Sequence, residues 1–229
     1  MIITIDGPSA SGKSTVARML AHRLGYYYLS TGLIYRSIAY NLINKYGYRL
    51  ETLSNLRQED IKECADSTRL RYEYNEGSQE HIFFDNHDIT PYLKDKQIDQ
   101  ATSLISVNKY VRNAVTTIQH AIAHDYNIVI EGRDVGSVVF PHAQVKFFLT
   151  ASIQARAERW RKDQEKYNNY LSQEEAVRFI TERDERDKNR TIAPLIVPQD
   201  AIVVDNSFLD IEQTVIKMIS IVSVYLSEL

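Results

Sequence analysis

The sequence predicts an α/β fold in which a parallel sheet of about five strands is covered by helices on both faces. Five short apolar runs are typical of buried strands, at residues 2–6, 26–29, 128–130, 145–149 and 201–204. Segments with the helical spacing of apolar residues lie between these runs. Strands that alternate with helices in this way indicate a parallel sheet.

The helical segments are identified by apolar residues three or four positions apart. The first, at residues 13–24, ends at Gly25, a residue type common just after a helix. The second, at residues 33–46, has apolar residues in steps of four. Four further helices are predicted at residues 111–124, 153–167, 174–188 and 211–226.

One stretch departs from this alternation. Residues 69–74 and 81–84 read as short antiparallel strands, and residues 75–77 between them as a turn. We therefore expect a small antiparallel β insert at about residues 68–92 of the α/β domain.

The composition excludes several classes of protein. The 229 residues carry a formal net charge of −3, which gives no overall signal for nucleic-acid binding. No apolar run approaches the roughly 18 residues of a membrane span. Cys64 is the only cysteine, so a disulfide within the chain and a multi-cysteine zinc site are excluded. The first residues lack the features of a signal peptide, and we expect a cytoplasmic protein that acts on neither membranes nor nucleic acids.

Glycine is scarce, and its positions are informative. Only 8 are present, about half of average usage. Two of them belong to residues 7–14, GPSASGKS, which match the phosphate-binding pattern G-x-x-x-x-G-K-[ST] between a predicted strand and a predicted helix. In this pattern backbone N–H groups surround phosphate oxygens, the lysine supplies a cation and the hydroxyl after it ligates Mg²⁺.

The residues of this pattern, which we assign to nucleotide phosphates, are Gly7, Pro8, Ser9, Ala10, Ser11, Gly12, Lys13 and Ser14. Ser14 is also the candidate Mg²⁺ ligand. Asp6, just before the loop, is either a carboxylate of the site or an ordinary polar residue at a strand end.

Two further glycine clusters follow predicted strands. Residues 30–32, Ser-Thr-Gly, come before Arg36 and place Thr31 where it can cap the next helix. Residues 131–136, EGRDVG, follow the strand at 128–130 and contain Arg133 and Asp134. Because ligands of open parallel sheets bind beyond the carboxyl ends of the strands, we expect all three clusters to be neighbours.

A phosphate-binding loop alone fits a switch GTPase, an ATPase or a small-molecule kinase. A kinase also needs several arginines to screen the charge of two anionic substrates. Residues 183–190, RDERDKNR, place Arg183, Arg186, Asp187 and Arg190 on one helix face, although a solvent-exposed helix with salt bridges explains this spacing equally well. The Asn-Lys-x-Asp motif of GTPases is not found, since the nearest match, residues 44–47, lacks the Asp.

Together these segments resemble the bacterial cytidylate kinases, in the nucleoside monophosphate kinase branch of P-loop proteins. The matching stretches run in order from residue 2 to residue 195: ITIDGPSASGKST, STGLIYR, EGRDVGSVVFPHAQVKFFLTAS and ERDERDKNRTIAPL. The resemblance implies a P-loop NTPase-type three-layer fold with a β insert in the acceptor region and a helical lid. It implies one domain, residues 1–229, with a core at about 1–35, 108–155 and 192–229, a nucleoside-monophosphate-binding region at about 36–107 and a lid at about 156–191.

The resemblance also implies a reaction, in which ATP, with Mg²⁺, phosphorylates CMP or dCMP to give CDP or dCDP and ADP. By position, Gly7–Thr15 would hold the phosphates of ATP, which adds Thr15 to the loop residues named above. Arg36, Arg133 and Arg190 would hold the acceptor phosphate and the transferring group. The other positions carried over are Ser103, Arg112 and Asp134 near the cytosine, Arg183 and Asp187 near the ribose, and Arg156 and Arg159 in a lid over ATP. We count Lys13, Arg133, Arg186 and Arg190 as catalytic, add Thr31 to the acceptor site and expect a monomer.

The rival interpretations are a nucleotide-dependent switch and a kinase for another acceptor, such as UMP, AMP, shikimate or a coenzyme precursor. Cytosine presents an amino donor where uracil presents a carbonyl acceptor, so a site with acceptors at that point would favour CMP over UMP.

Overall fold

The fold is that of an α/β protein, as predicted. The computed structural model describes residues 1–75, 77, 79–166 and 168–227. The strands in this part of the chain are β1 (Ile2–Asp6), β2 (Tyr27–Ser30), β3 (Leu70–Tyr74), β4 (Glu80–Phe84), β5 (His87–Asp88), β6 (Ile128–Gly132), β7 (Val145–Thr150) and β8 (Ile202–Asp205). The α-helices are α1 (Lys13–Leu24), α2 (Thr31–Asn44), α3 (Gln58–Cys64), α4 (Lys96–Ile105), α5 (Lys109–Asp125), α6 (Ile153–Glu165), α7 (Gln173–Asn189) and α8 (Ile211–Ser227).

Five strands form one parallel sheet in the order β2-β6-β1-β7-β8. All five were predicted, because strands buried in such a sheet are continuous runs of apolar residues. The central strand, β1, pairs with β6 on one side and β7 on the other, and Asp6 lies opposite Gly132 and Phe148. The carboxyl ends of β1 and β6 therefore lie side by side, so that the first and third glycine clusters are neighbours.

The chain divides into two compact units, which are described separately. One comprises Met1–Tyr28 and Asn127–Leu229, and the other comprises Leu29–Tyr126. In the first unit, α1 packs against β1, β6 and α8, and α6 packs against α7. Trp160 of α6 stacks on Phe179 of α7, with 4.2 Å between the ring centres.

The second unit contains the β insert and two helices, α3 and α4, that were not predicted from the sequence. The insert is an antiparallel sheet of three strands, β3-β4-β5, rather than the two that were predicted. Asp85 and Asn86 have positive φ angles of 49° and 64° and form the turn that adds β5. The predicted turn at residues 75–77 includes Glu76, which lies outside the described residues. Helices α3 and α4 pack on α2, which also contacts α5.

The boundaries of several predicted helices change, among them two that differ at their C-terminal ends. The helix predicted at 33–46 begins at Thr31 and ends at Asn44. It ends early because Gly47 takes a φ of 70° and its N–H group bonds to Ile43 O at the helix end. The helix predicted at 153–167 ends at Glu165, and Tyr167 lies outside the described residues. Among the helices described, none is both long enough and apolar enough to span a bilayer.

Candidate active site

The glycine-rich loop between β1 and α1 adopts a backbone that requires small residues. Gly7 has a φ of 151°, and a Cβ atom there would lie 2.0 Å from the carbonyl oxygen of Leu149 in β7. Gly12 has a φ of 89° and comes directly before α1. The loop therefore leads into a helix N-terminus, whose positive end favours an anion.

Lys13 is folded over this loop. Its ammonium donates to the carbonyl oxygen of Pro8 at 2.6 Å and to Ser11 Oγ at 3.3 Å, and the residue is only 5% exposed. Burial, and next the positive charge of Arg133, lower the pKa of Lys13 well below its usual range. A phosphate bound here would oppose both effects, because its negative charge stabilises the protonated, positively charged form of the amine.

Ser14 faces a carboxylate, Glu131, for which no role was predicted from the sequence. Ser14 Oγ donates to Oε1 of Glu131 at 3.2 Å, and Glu131 is the next-to-last residue of β6, which pairs with β1. Oxygen ligands of this kind suit Mg²⁺, which keeps several water ligands and so needs few protein groups. Among the described residues, no cluster of three or more His, Cys, Asp or Glu side chains is placed to bind a metal. The position of Glu131 at the end of a strand, next to a glycine, was the available signal.

Arg133 and Arg190 each pair with an aspartate. Arg133 donates through Nε to Asp187 at 2.7 Å and through Nη2 to Ser9 Oγ at 3.2 Å, so it connects the end of β6 to both α7 and the loop. Arg190 donates to Asp134 at 3.0 Å. Burial would raise the pKa of Asp187, but the charge and hydrogen bond of Arg133, together with the charges of Arg190 and Arg183, outweigh burial and keep the pKa below its usual value. Four of the predicted site residues are thus brought together in two ion pairs.

The two predicted lid arginines contact the loop backbone. Arg156 pairs with Asp184 and donates to the carbonyl oxygen of Ser9 at 3.1 Å, while Asp184 accepts the N–H of Ser9 at 3.0 Å. Arg159 contacts Ser11 O at 3.3 Å and Asn206 Oδ1 at 2.9 Å. Asp184 and Asn206 were both missed in the sequence, because each lies more than 170 residues from the loop residue that it contacts.

Arg186 is not part of this cluster. It is exposed, and its Nε donates to the carbonyl oxygen of Glu182 in its own helix at 3.4 Å. Helix α7 buries Ala176, Ile180 and Asp184 at steps of four. A residue two positions after Asp184 points away from that face, since each residue turns the helix by about 100°. Arg183 is half-buried, and its charge helps to lower the pKa of Asp187.

The other predicted acceptor residues belong to the second unit. Thr31 is the first residue of α2 rather than its cap, and its hydroxyl accepts from Gln119 Nε2 at 2.8 Å. Arg36 donates to the carbonyl oxygen of Leu93 at 3.0 Å and pairs with Asp99. Arg112 is buried and donates to Ser106 O at 3.3 Å, whereas Ser103 is exposed on α4.

Comparisons with known proteins show relatives that match this chain over most of its length. A sequence model of the family "Cytidylate kinase" matches residues 3–224. The chain is 37% identical to a cytidylate kinase of Thermodesulfovibrio yellowstonii over 214 residues, which are 93% of this chain and 94% of the relative. It is 38% identical to a cytidylate kinase of Chlamydia trachomatis over 227 residues, 99% of this chain and all of the relative.

A solved structure supports the fold alone. An uncharacterized protein from Eubacterium ventriosum aligns with a TM-score of 0.53 at 12% identity, covering 97% of this chain and 98% of the other. The match of the family model over nearly the whole sequence, and the two relatives of similar length, show that this chain belongs to the cytidylate kinase family.

Proposed function

We propose that this protein transfers the γ-phosphate of ATP to CMP or dCMP and releases ADP with CDP or dCDP. The observation that carries the proposal is the convergence of cations on one phosphate-binding loop: Lys13, at the start of α1, donates to the loop, and Arg133 and Arg156 contact Ser9 from elsewhere in the chain. A nucleotide-binding module needs the loop, but a phosphotransferase also needs cations that face a second anion. The names of the relatives support cytidylate as the acceptor.

The proposed mechanism is in-line transfer without a covalent intermediate. An oxygen of the acceptor phosphate is already anionic near neutral pH, so the protein needs no strong general base. Catalysis then consists of positioning and charge stabilisation by Lys13, Arg133 and Arg190. The two arginines would exchange their aspartate partners for phosphate oxygens, and Asp134 and Asp187 would become available to the acceptor.

We propose Mg²⁺ as the cofactor. Ser14 would bind the ion, and Glu131 would accept the hydrogen bond of the Ser14 hydroxyl. Bound to ATP, the ion would neutralise phosphate charge. The chain's own contribution is to hold the Ser14 hydroxyl at the start of α1, where Glu131 orients it through the 3.2 Å hydrogen bond.

The remaining assignments extend the proposal. Thr31, Arg36, Ser103 and Arg112 would bind the acceptor nucleotide, Arg183 would lie near its ribose, and residues 156–191 would close over ATP and exclude water. We propose a cytoplasmic monomer whose partners are these nucleotides, with no role at membranes or on nucleic acids.

A coupled ADP-release assay tests the function. Purified protein is supplied with ATP and Mg²⁺ and, separately, with CMP, dCMP, UMP, AMP or no acceptor. We expect ADP release that depends on CMP or dCMP and exceeds the rate with UMP. Equal release without an acceptor would indicate an ATPase or a switch, and a preference for UMP would overturn the assignment of the base. The Lys13→Ala variant controls for contaminating kinases.

A further inference from the structure

Asp6 is a buried carboxylate that the proposed mechanism does not use. It ends β1, immediately before the phosphate-binding loop, and none of its surface is exposed. Its two oxygens accept from two consecutive backbone N–H groups, Val135 N to Oδ1 at 2.9 Å and Gly136 N to Oδ2 at 2.7 Å. Within the part of the chain that the structure describes, no cation lies close enough to form an ion pair with it.

An unpaired buried carboxylate is costly and needs a reason to be kept. Burial raises the pKa of Asp6 to about 6, and the two backbone hydrogen bonds only partly oppose this effect. Two charged groups act on Asp6 in opposite directions: Asp134 raises its pKa and Lys13 lowers it. A neutral side chain would avoid this cost, but it could not accept two N–H groups with both of its terminal atoms.

The segment that Asp6 holds comes directly after Arg133 and Asp134. Residues Val135–Val139 form a single π-helical turn, a rare conformation often found at functional sites. Asp6 binds the first two N–H groups of this turn and so fixes the backbone within two residues of Arg133.

Gly136 shows how tightly the two segments fit. A Cβ atom at this position would lie 2.7 Å from Thr4 Oγ1 and 3.2 Å from Asp6 Oδ2. Glycine is therefore required by the close approach of this turn to β1. The packing of this turn against β1 depends on both the carboxylate of Asp6 and the absence of a side chain at Gly136.

We propose that Asp6 is a positioning residue that fixes Arg133 for phosphoryl transfer by binding the N–H groups of Val135 and Gly136. This inference rests on the proposed function. Arg133 reaches Ser9 and Asp187 from the end of β6, and its guanidinium can serve a transferring group only if its backbone is held in place.

The variant Asp6→Asn tests this directly, since it keeps the size of the side chain and presents an amide N–H to one of the two donors. We expect kcat for CMP phosphorylation to fall about 100-fold, as small displacements of positioning groups do, with KM for ATP changed less than about threefold. Thr4→Val is the matched control, because Thr4 points to the same side of β1 and its buried hydroxyl has no hydrogen-bond partner among the described residues. This control should keep the wild-type kcat.

A double-mutant cycle separates positioning from general destabilisation. If Asp6 acts through Arg133, Asp6→Asn should lower kcat less than about tenfold when Arg133→Ala is already present. A full 100-fold effect in that background, or an equal loss in Thr4→Val, would show that Asp6 only supports the fold and would overturn the proposal.

Gly136→Ala gives a second route if Asp6→Asn does not fold. It keeps the carboxylate and displaces the turn, so it should also lower kcat, and an unchanged kcat would count against the proposal. Active wild type with active Asp6→Asn overturns this inference alone, whereas wild type that phosphorylates no acceptor overturns the proposed function as well.

Discussion

The ion pair between Arg156 and Asp184 offers the sharpest test of the energetics at this site. Both side chains are at most 10% exposed, and Asp184 also accepts the N–H of Ser9 in the phosphate-binding loop. The substitution Asp184→Ala leaves a buried guanidinium without its charge partner and a backbone donor without its acceptor. Removal of one partner of a buried pair costs about 3–5 kcal/mol. In a protein of this size, that corresponds to a fall in Tm of about 6–20 °C.

Thermal unfolding followed by circular dichroism measures this loss. The fluorescence of Trp160, the only tryptophan, adds a local readout because its ring stacks on Phe179 across the two helices that carry the pair. Replacement of both partners, Arg156→Met with Asp184→Leu, should recover more than half of the lost stability, because no uncompensated charge remains buried.

The matched control is a partly exposed pair within α6, the helix that carries Arg156. The side chains of Glu158 and Arg161 are 40% and 30% exposed, and Glu158→Ala should change Tm by less than about 2 °C. The reasoning would be refuted if Asp184→Ala lowered Tm no more than this control does, or if the double replacement were no more stable than Asp184→Ala.

Three further predictions concern activity, pH and reactivity. Lys13→Ala should lower kcat about 100- to 1,000-fold while Tm stays within a few degrees, because the buried ammonium stabilises bound phosphate rather than the fold. Steady-state kinetics measure kcat and melting curves measure Tm. Near-normal turnover of the variant would contradict the catalytic role of Lys13. Burial raises the pKa of Asp6 from 3.8 to about 6, so the carboxyl group binds a proton more tightly in the folded state than in the unfolded chain. Loss of this proton therefore lowers the stability of the folded state as pH rises from about 4 to about 6. The Tm of Asp6→Asn relative to wild type should therefore increase between pH 4 and pH 7, and a constant difference would argue against the raised pKa. Cys64 is fully buried, and burial is the main cause that raises the pKa of its thiol to about 12. Iodoacetamide at pH 8 should therefore label Cys64 only after denaturation in urea, and mass spectrometry measures the labelling.

The sheet could be predicted because its signals are local. The strands are apolar runs, and the phosphate-binding loop is a contiguous pattern whose glycines meet steric demands such as the contact of Gly7 with Leu149. The missed elements have weaker signals. Helix α3 has only seven residues and β5 only two, too few to show a period. Helix α4 had a usable signal, since Asp95 caps it through the N–H of Gln97.

The partners of the site residues could not be predicted in the same way. Asp184 lies 175 residues from Ser9 and Asn206 lies 195 residues from Ser11, so no spacing in the sequence pairs them. Arg186 shows the opposite problem. Its spacing from Arg183 and Arg190 suits a shared face, but the face that α7 buries is set by Ile180 and Asp184, and tertiary packing rather than spacing decides which arginines face the loop.

The three pairs of arginine with aspartate have a consequence for selectivity among anions. Arg133, Arg156 and Arg190 already have carboxylate partners, so an incoming anion must compete with a carboxylate rather than fill a bare positive site. A phosphate group brings nearly two negative charges and three acceptor oxygens, which is more than a carboxylate offers. Chloride brings one charge and no directed oxygen. Chloride therefore binds these arginines too weakly to displace the aspartates. We expect the site to select phosphate esters even at the ionic strength of a cell.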